Sequence, residues 1–211
     1  MNDRREAFAR RFARLATRVV VARPSLWRFF RRPLRAEFDR LAPDWDDRIG
    51  FERLAPLRAA FDRLDRPPAR ILDLGTGTGK AARLAAERFP EAEVIGVDLA
   101  PVMIEQARGL LPPELEGRVR YEVADAAALP FADGEFDLVI LLNMIPFFEE
   151  LARVTAPGGA LVFAAVSGSD TPIWTPPETL RARLEPHGFD QFADFAVGEG
   201  TALLARRSKS V

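Results

Sequence analysis

Residues 72–81 read LDLGTGTGKA, with glycines on alternate positions 75, 77 and 79 and a lysine at 80. An apolar run that breaks into glycines and resumes as a helical pattern is a strand turning sharply into a helix, an arrangement that cradles nucleotides. A Walker-type phosphate loop needs a glycine, four residues, then Gly-Lys-Ser/Thr. Here the position five before Gly79 is Leu74, and Ala81 follows Lys80, so no hydroxyl is placed for magnesium. Two patterns survive. Gly77-x-Gly79-x-x-Ala82 satisfies the looser dinucleotide fingerprint, and Asp73-Leu74-Gly75-Thr76-Gly77-Thr78-Gly79 is an acid followed by Gly-x-Gly-x-Gly.

The segments around the loop fix the fold class. Pro67-Pro68 marks a boundary, since neither residue suits a helix interior or a central strand. Beyond it, apolar runs at 70–74, 93–99, 119–124, 136–142 and 160–166 alternate with helical patterns at 80–89, 101–111, 147–154 and 177–186. The helix over 147–154 is expected to end at Pro157-Gly158-Gly159. Runs over 189–197 and 201–205, separated by Gly198-Glu199-Gly200, read as a closing hairpin. This is an α/β chain: a doubly wound, mostly parallel sheet of seven strands, the last antiparallel.

The first 66 residues read as a helical appendage to the core at 67–211. Phe8, Phe12, Leu15 and Val19 share a stripe at helical spacing, and Pro24 and Pro33 are expected to break the segment into pieces. Residues 1–40 hold twelve arginines against four acids, a net +8, whereas the whole chain carries −1. The front therefore meets something anionic. It either packs on the acidic core as a lid or, through residues 1–35, touches an anionic membrane peripherally. Arginine interleaved with Phe, Trp and Leu suits these readings, and nucleic acid is not expected as a partner. No run is long enough to span a bilayer, no secretory signal is read, and the absence of cysteine makes the cytoplasm the default location.

Three acids stand at or near successive strand ends: Asp73, Asp98 and Asp125. Asp98, nineteen residues after Gly79, is placed to accept from a ribose diol. Asp125, followed by Ala126, can accept from an adenine amino group. Asp73 repels a pyrophosphate but suits a ligand carrying an ammonium and a sulfonium. The reading is a zwitterionic adenosyl ligand without phosphates.

On these motifs the chain resembles the class I S-adenosylmethionine-dependent methyltransferases over roughly residues 69–207. ILDLGTGTGK and VDLAPVMIEQA resemble the family's first two motifs. VADAAALPFADGEFDLVI, LARVTAPGGALVF and EPHGF resemble its later segments. The resemblance implies a Rossmann-like methyltransferase fold with S-adenosylmethionine as cofactor. Asp73, Gly75, Thr76, Gly77 and Gly79 would form the loop around the methionine portion, Asp98 would bind the ribose, and Leu99 and Met103 would pack on the adenine. Asp125 would take the adenine amino group, Ala126 would offer its N–H, and Asn143 would reach the methionyl amino group. FDRLAPDWDDR (38–48) resembles the segment preceding the core in quinone-type and small-molecule methyltransferases, so Phe38, Trp45 and Arg48 would close over the cofactor. Met144, Pro146 and Phe147 would line an apolar acceptor pocket.

Other readings stand beside these. Met103 and Tyr121 suit core packing, Lys80 the solvated start of a helix, and His187, the single histidine, a helix end. With no cysteine, general-base candidates reduce to Glu37, Asp44, Asp46 and Asp47, and neither a metal nor a covalent intermediate is expected. The function expected is methyl transfer to a small apolar or lipid-like acceptor. A non-catalytic adenosylmethionine-binding protein and a nicotinamide oxidoreductase are the alternatives.

Overall fold

The apolar runs pair into one seven-stranded sheet in the computed structural model, which describes residues 2–48 and 50–209, and only the backbone of 2–4, 6, 47 and 48. The strands are β1 (Arg70–Leu74), β2 (Glu93–Asp98), β3 (Val119–Val123), β4 (Phe136–Leu142), β5 (Thr155–Ala165), β6 (Phe189–Val197) and β7 (Gly200–Arg207). Their order is β3-β2-β1-β4-β5-β7-β6. β7 runs antiparallel to both neighbours, and every other adjacent pair is parallel. The chain steps outward from β1 through β2 to β3, then returns to β4 on the other side of β1. That reversal opens a crevice at the carboxyl ends of β1 and β4, where Asp73 pairs in register with Gly96 and Ile140.

The inner strands are largely apolar because both of their faces are covered, whereas the edge strands β3 and β6 alternate with exposed polar residues. Leu72, Leu74, Val97, Val139, Leu141, Leu161 and Phe163 point to one core, whereas Ile71, Val94, Leu138, Ile140 and Val162 point to the other. Helix α5 (Lys80–Arg88) lies close on the second face because alanines 81, 82, 85 and 86 put little between its backbone and the sheet. It starts at Gly79, whose φ of +84° is left-handed and whose missing Cβ leaves room for the Tyr121 hydroxyl. Helix α6 (Pro101–Gly109) follows β2, α7 (Phe148–Val154) precedes β5, and α8 (Pro177–Leu184) precedes β6. Two boundaries differ from the sequence expectation at the α7–β5 junction. Thr155 already pairs with Phe136, so Pro157-Gly158-Gly159 lies within β5, at a register shift, rather than beyond a helix end.

The front segment divides between the two faces. Helices α1 (Asn2–Ala22) and α2 (Trp27–Leu41), joined by a 3-10 turn over Pro24–Leu26, bury Ala16, Val20, Val21, Trp27 and Leu34 on the first face. After the short α3 (Trp45–Arg48) the chain crosses over. Helix α4 (Ala55–Phe61) then buries Leu57, Ala60 and Phe61 in the second core, with Phe61 edge-on to Phe89. Two expectations are corrected here. Phe8 and Leu15 of the expected apolar stripe face solvent, because the alanine-rich side of α1 approaches the core more closely than its bulky side. Pro33 lies inside α2 without ending it, on an exposed side of the helix.

Candidate active site

The glycine loop is built so that backbone, not side chain, faces the crevice. Gly75 and Thr76 both donate their N–H to the Val97 carbonyl, at 2.9 Å each, which ties the loop to the neighbouring strand. Gly77 has φ +53°, and a Cβ there would stand 3.0 Å from the Trp45 indole nitrogen. Asp73 at the end of β1 is fully buried. One of its oxygens accepts from the Thr76 hydroxyl at 2.5 Å; the other has no partner among the described residues. Burial pushes this carboxyl up to about 7, more than the Thr76 hydroxyl, the Ala82 N–H and the charge of Arg83 bring it down. A buried carboxylate oxygen that completes no well-formed hydrogen bond is costly, and here Asp73 borders a small space with Gly75, Thr76, Trp45 and Asn143.

Asp98 stands at the next strand end. Its two oxygens accept from the N–H groups of Gly77 and Ala100, at 2.9 Å each. Loss of solvent raises this group above the ordinary carboxylate range, and nearby Asp39 adds to the rise. Leu99, Met103, Ala126 and Asn143 line the same crevice, together with Gly75, Gly77, Met144, Phe38 and Trp45. Gly79 lies behind it as the cap of α5. Asn143 has φ +52°, a left-handed conformation that costs a non-glycine residue roughly 1–3 kcal/mol. Its side-chain oxygen accepts from Val166 N–H, which secures the turn leaving β4.

Helices α2 and α3 supply contacts that the sequence did not reveal. The Trp27 indole N–H donates to one Asp125 oxygen at 2.8 Å, and Arg31 reaches the other at 3.1 Å. Asp125 therefore faces α2 and is not among the residues lining the crevice. Trp27 also packs edge-on against Phe147, which is core rather than cavity wall, and Pro146 lines a separate cavity beside β5 and β7. Phe38 and Trp45 meet edge-on over the crevice. Asp46 accepts from the Thr78 hydroxyl at 2.5 Å, and Lys80 donates to its backbone carbonyl at 2.6 Å. Lys80 and Arg83 also approach the Asp46 carboxylate. Lys80 is buried rather than solvated, because a segment 34 residues earlier folds onto it. The signal was present in Asp44-x-Asp46-Asp47 next to Trp45, but nothing in the spacing pairs it with the loop lysine.

Past Asn143 a second cavity of about 330 Å³ opens between α1, α2 and the loop from β5 to α8. Phe12, Leu34, Phe38 and Ile173 make it apolar, and Arg10, Arg53 and Glu37 stand at its polar margins. Arg53 donates to the Ser167 hydroxyl, while Glu37 is paired with Arg40. Of the base candidates, Asp44 is exposed, Asp46 is engaged as above, and the side chains of Asp47 and Arg48 lie outside the described residues.

Residues 71–159 match the family model of a methyltransferase domain. That match takes in the glycine loop and the strands on either side of it, and with the sheet order it supports a class I S-adenosylmethionine-dependent methyltransferase. Among its relatives, the demethylmenaquinone methyltransferase of Thermus thermophilus is 44% identical over 59% of this chain and 62% of its own length. A malonyl-[acyl-carrier protein] O-methyltransferase of Halorhodospira halophila is 40% identical over 64% of this chain and 48% of its own. The chain thus spans about half to three-fifths of these curated relatives. A Haloferax volcanii methyltransferase solved with the Trm112 activator superposes with a TM-score of 0.68 at 19% identity, covering 82% of this chain and 98% of its own. A phosphoethanolamine N-methyltransferase of Haemonchus contortus, solved with S-adenosyl-L-methionine, does so at 0.61 and 20%, covering 74% and 52%. These two likenesses concern the fold.

Proposed function

We propose that the crevice holds S-adenosylmethionine and that the chain transfers its methyl group to a small, apolar or lipid-like acceptor in the adjoining cavity. The observation that carries this reading is the unpartnered, fully buried oxygen of Asp73. An ammonium beside it would satisfy the oxygen and hold the carboxylate ionised, whereas a diphosphate would disfavour that charge. The cofactor, when bound, supplies a methyl group made electrophilic by the positive sulfur.

The chain's own residues then do four things. Asp73 and the loop at Gly75, Thr76 and Gly77, closed behind by Gly79, hold the amino-acid end. Asp98 accepts from the ribose, Leu99 and Met103 pack on the base, and Ala126 offers its N–H to it. Asn143 sits where the crevice meets the acceptor cavity and positions the amino group. Phe38, Trp45 and Leu34 keep water out. In-line displacement needs alignment more than covalent help, and proximity alone is worth ~7–11 kcal/mol. Of the described candidate carboxylates, Glu37 is the one that borders the acceptor cavity, and it is the group proposed to take a proton where the acceptor has one to lose.

Residues 1–48 act as the lid in this reading, with α4 belonging to the core. As packed here, the crevice encloses only about 70 Å³, well below the size of ordinary ligand pockets. The Asp125 carboxylate is held by Trp27 and Arg31. Adenine binding therefore requires α2 to shift and release Asp125. The two named relatives commend demethylmenaquinone first and malonyl-[acyl-carrier protein] second as acceptors to try. The test is incubation with methyl-labelled S-adenosylmethionine and each acceptor. Label in the extracted product supports the proposal; unchanged acceptors with tight cofactor binding would reduce the chain to a cofactor-binding protein.

A further inference from the structure

The surface that α1 and α2 turn away from the core has no occupant among the described residues, and its chemistry is specific. Phe8, Phe29 and Leu15 are the three most exposed large apolar side chains described, at 70%, 61% and 55%. Scattered exposed hydrophobes need no explanation, but these three fall on the two adjacent lid helices. On α1, Phe8, Arg11, Leu15 and Arg18 follow at spacings of three, four and three, so they share one outward stripe. On α2, Phe29 is neighboured by Arg28, whose guanidinium lies 4.8 Å from its ring, and by Arg32 one turn on. Arg11, Arg18 and Arg32 form no ion pair among the described residues, in contrast to Arg31 and Arg35.

We infer that this outward face docks the protein on an anionic lipid bilayer. The two kinds of residue fit one partner: the rings and Leu15 sink to the level of the acyl boundary, and the arginines reach headgroup phosphates from flexible stems. A polyanion such as a nucleic acid would satisfy the arginines and leave Phe8 and Leu15 in water. No described helix is long and apolar enough to cross a membrane, so the contact is peripheral. The opposite side of α1, through Ala9, Phe12 and Ala13, lines the acceptor cavity. Docking would thus set the cavity's roof against the bilayer, where a lipid-like acceptor resides. The inference stands on the surface itself and does not require methyl transfer.

The experiment is co-sedimentation of the full chain with vesicles of phosphatidylcholine alone and of phosphatidylcholine with 30% phosphatidylglycerol at physiological salt. Binding to the anionic vesicles alone is expected. R11Q/R18Q/R32Q should weaken it on the order of five-fold per arginine, and F8S/L15S/F29S should abolish it. L110S/V123S, which removes exposed apolar side chains elsewhere, should leave it intact. Unchanged cofactor affinity in each variant shows that the fold is kept. The inference is overturned by no sedimentation with anionic vesicles, by equal binding to neutral ones, by indifference to the Phe8, Leu15 and Phe29 changes, or by duplex DNA displacing the vesicles.

Discussion

Asp73 shows how one side chain links the sheet to the chemistry. Its carboxyl is pushed up to about 7 by burial, so the folded chain retains a proton there that the unfolded chain gives up near 3.8. The stability this contributes is fully present below about 3.8 and is lost as pH rises through about 7. Asp73→Asn should therefore have little effect on the denaturation midpoint of the ligand-free protein at pH 4 and raise it relative to wild type at pH 8. The same substitution removes a charged acceptor from the cofactor, so affinity for S-adenosylmethionine should fall ten- to hundred-fold, in line with a charge-assisted bond of about 1.5–3 kcal/mol. A midpoint gap that does not grow from pH 4 to pH 8 would show that Asp73 is ionised without cost. Gly79 acts on a different property: Gly79→Ala forces a Cβ into a φ of +84° and toward the Tyr121 hydroxyl. A loss of at least 1–3 kcal/mol in urea denaturation is expected, and an unaltered midpoint would show that the loop relaxes freely. The acid-glycine pattern was legible in the sequence because it is local. The burial of Lys80 was not, because its partner Asp46 is supplied by another element.

At the scale of elements, strands were the most readable feature. The inner ones are apolar on consecutive residues, as a doubly covered sheet requires, and the predicted runs match β1 and β4 to the residue. Helix α1 was readable as a helix but not in its orientation. It is apolar on more than one side, and periodicity alone does not say whether Ala16 or Leu15 meets the core. The grip of α2 on Asp125 was likewise hidden, since Trp27 and Arg31 lie 98 and 94 residues away in sequence. Breaking that grip tests whether α2 gates the crevice. In Trp27→Phe the ring stays against Phe147 while the indole N–H is lost; Arg31→Ala removes an ion pair that is half exposed on the arginine side, worth at most about 1 kcal/mol. Both variants should exchange the amide hydrogens of α2 faster and bind S-adenosylmethionine with a higher association rate. Unchanged exchange in both would mean that the lid is held by its apolar packing instead.

Across the whole molecule, charge and topology act together. The +8 of residues 1–40 faces a remainder of −9. Part of the split is used internally, where Arg31 meets Asp125 and Arg10 and Arg14 donate to the Asp170 carbonyl beside the cavity between α1 and α2. The sheet brings Asp73, Asp98 and the Asn143 turn to one end, and the front segment covers that end. The acceptor is less legible, since the relatives carry different ones on the same sheet and this chain spans only part of their length. The central claim is the charge preference of the crevice. The direct measurement is calorimetric titration of the full chain at pH 8 with S-adenosylmethionine and, separately, with NAD. One equivalent of S-adenosylmethionine should bind, more tightly at pH 8 than at pH 6 because the ligand requires the Asp73 carboxylate, and NAD should give no heat. Saturable binding of NAD with none of S-adenosylmethionine would contradict it.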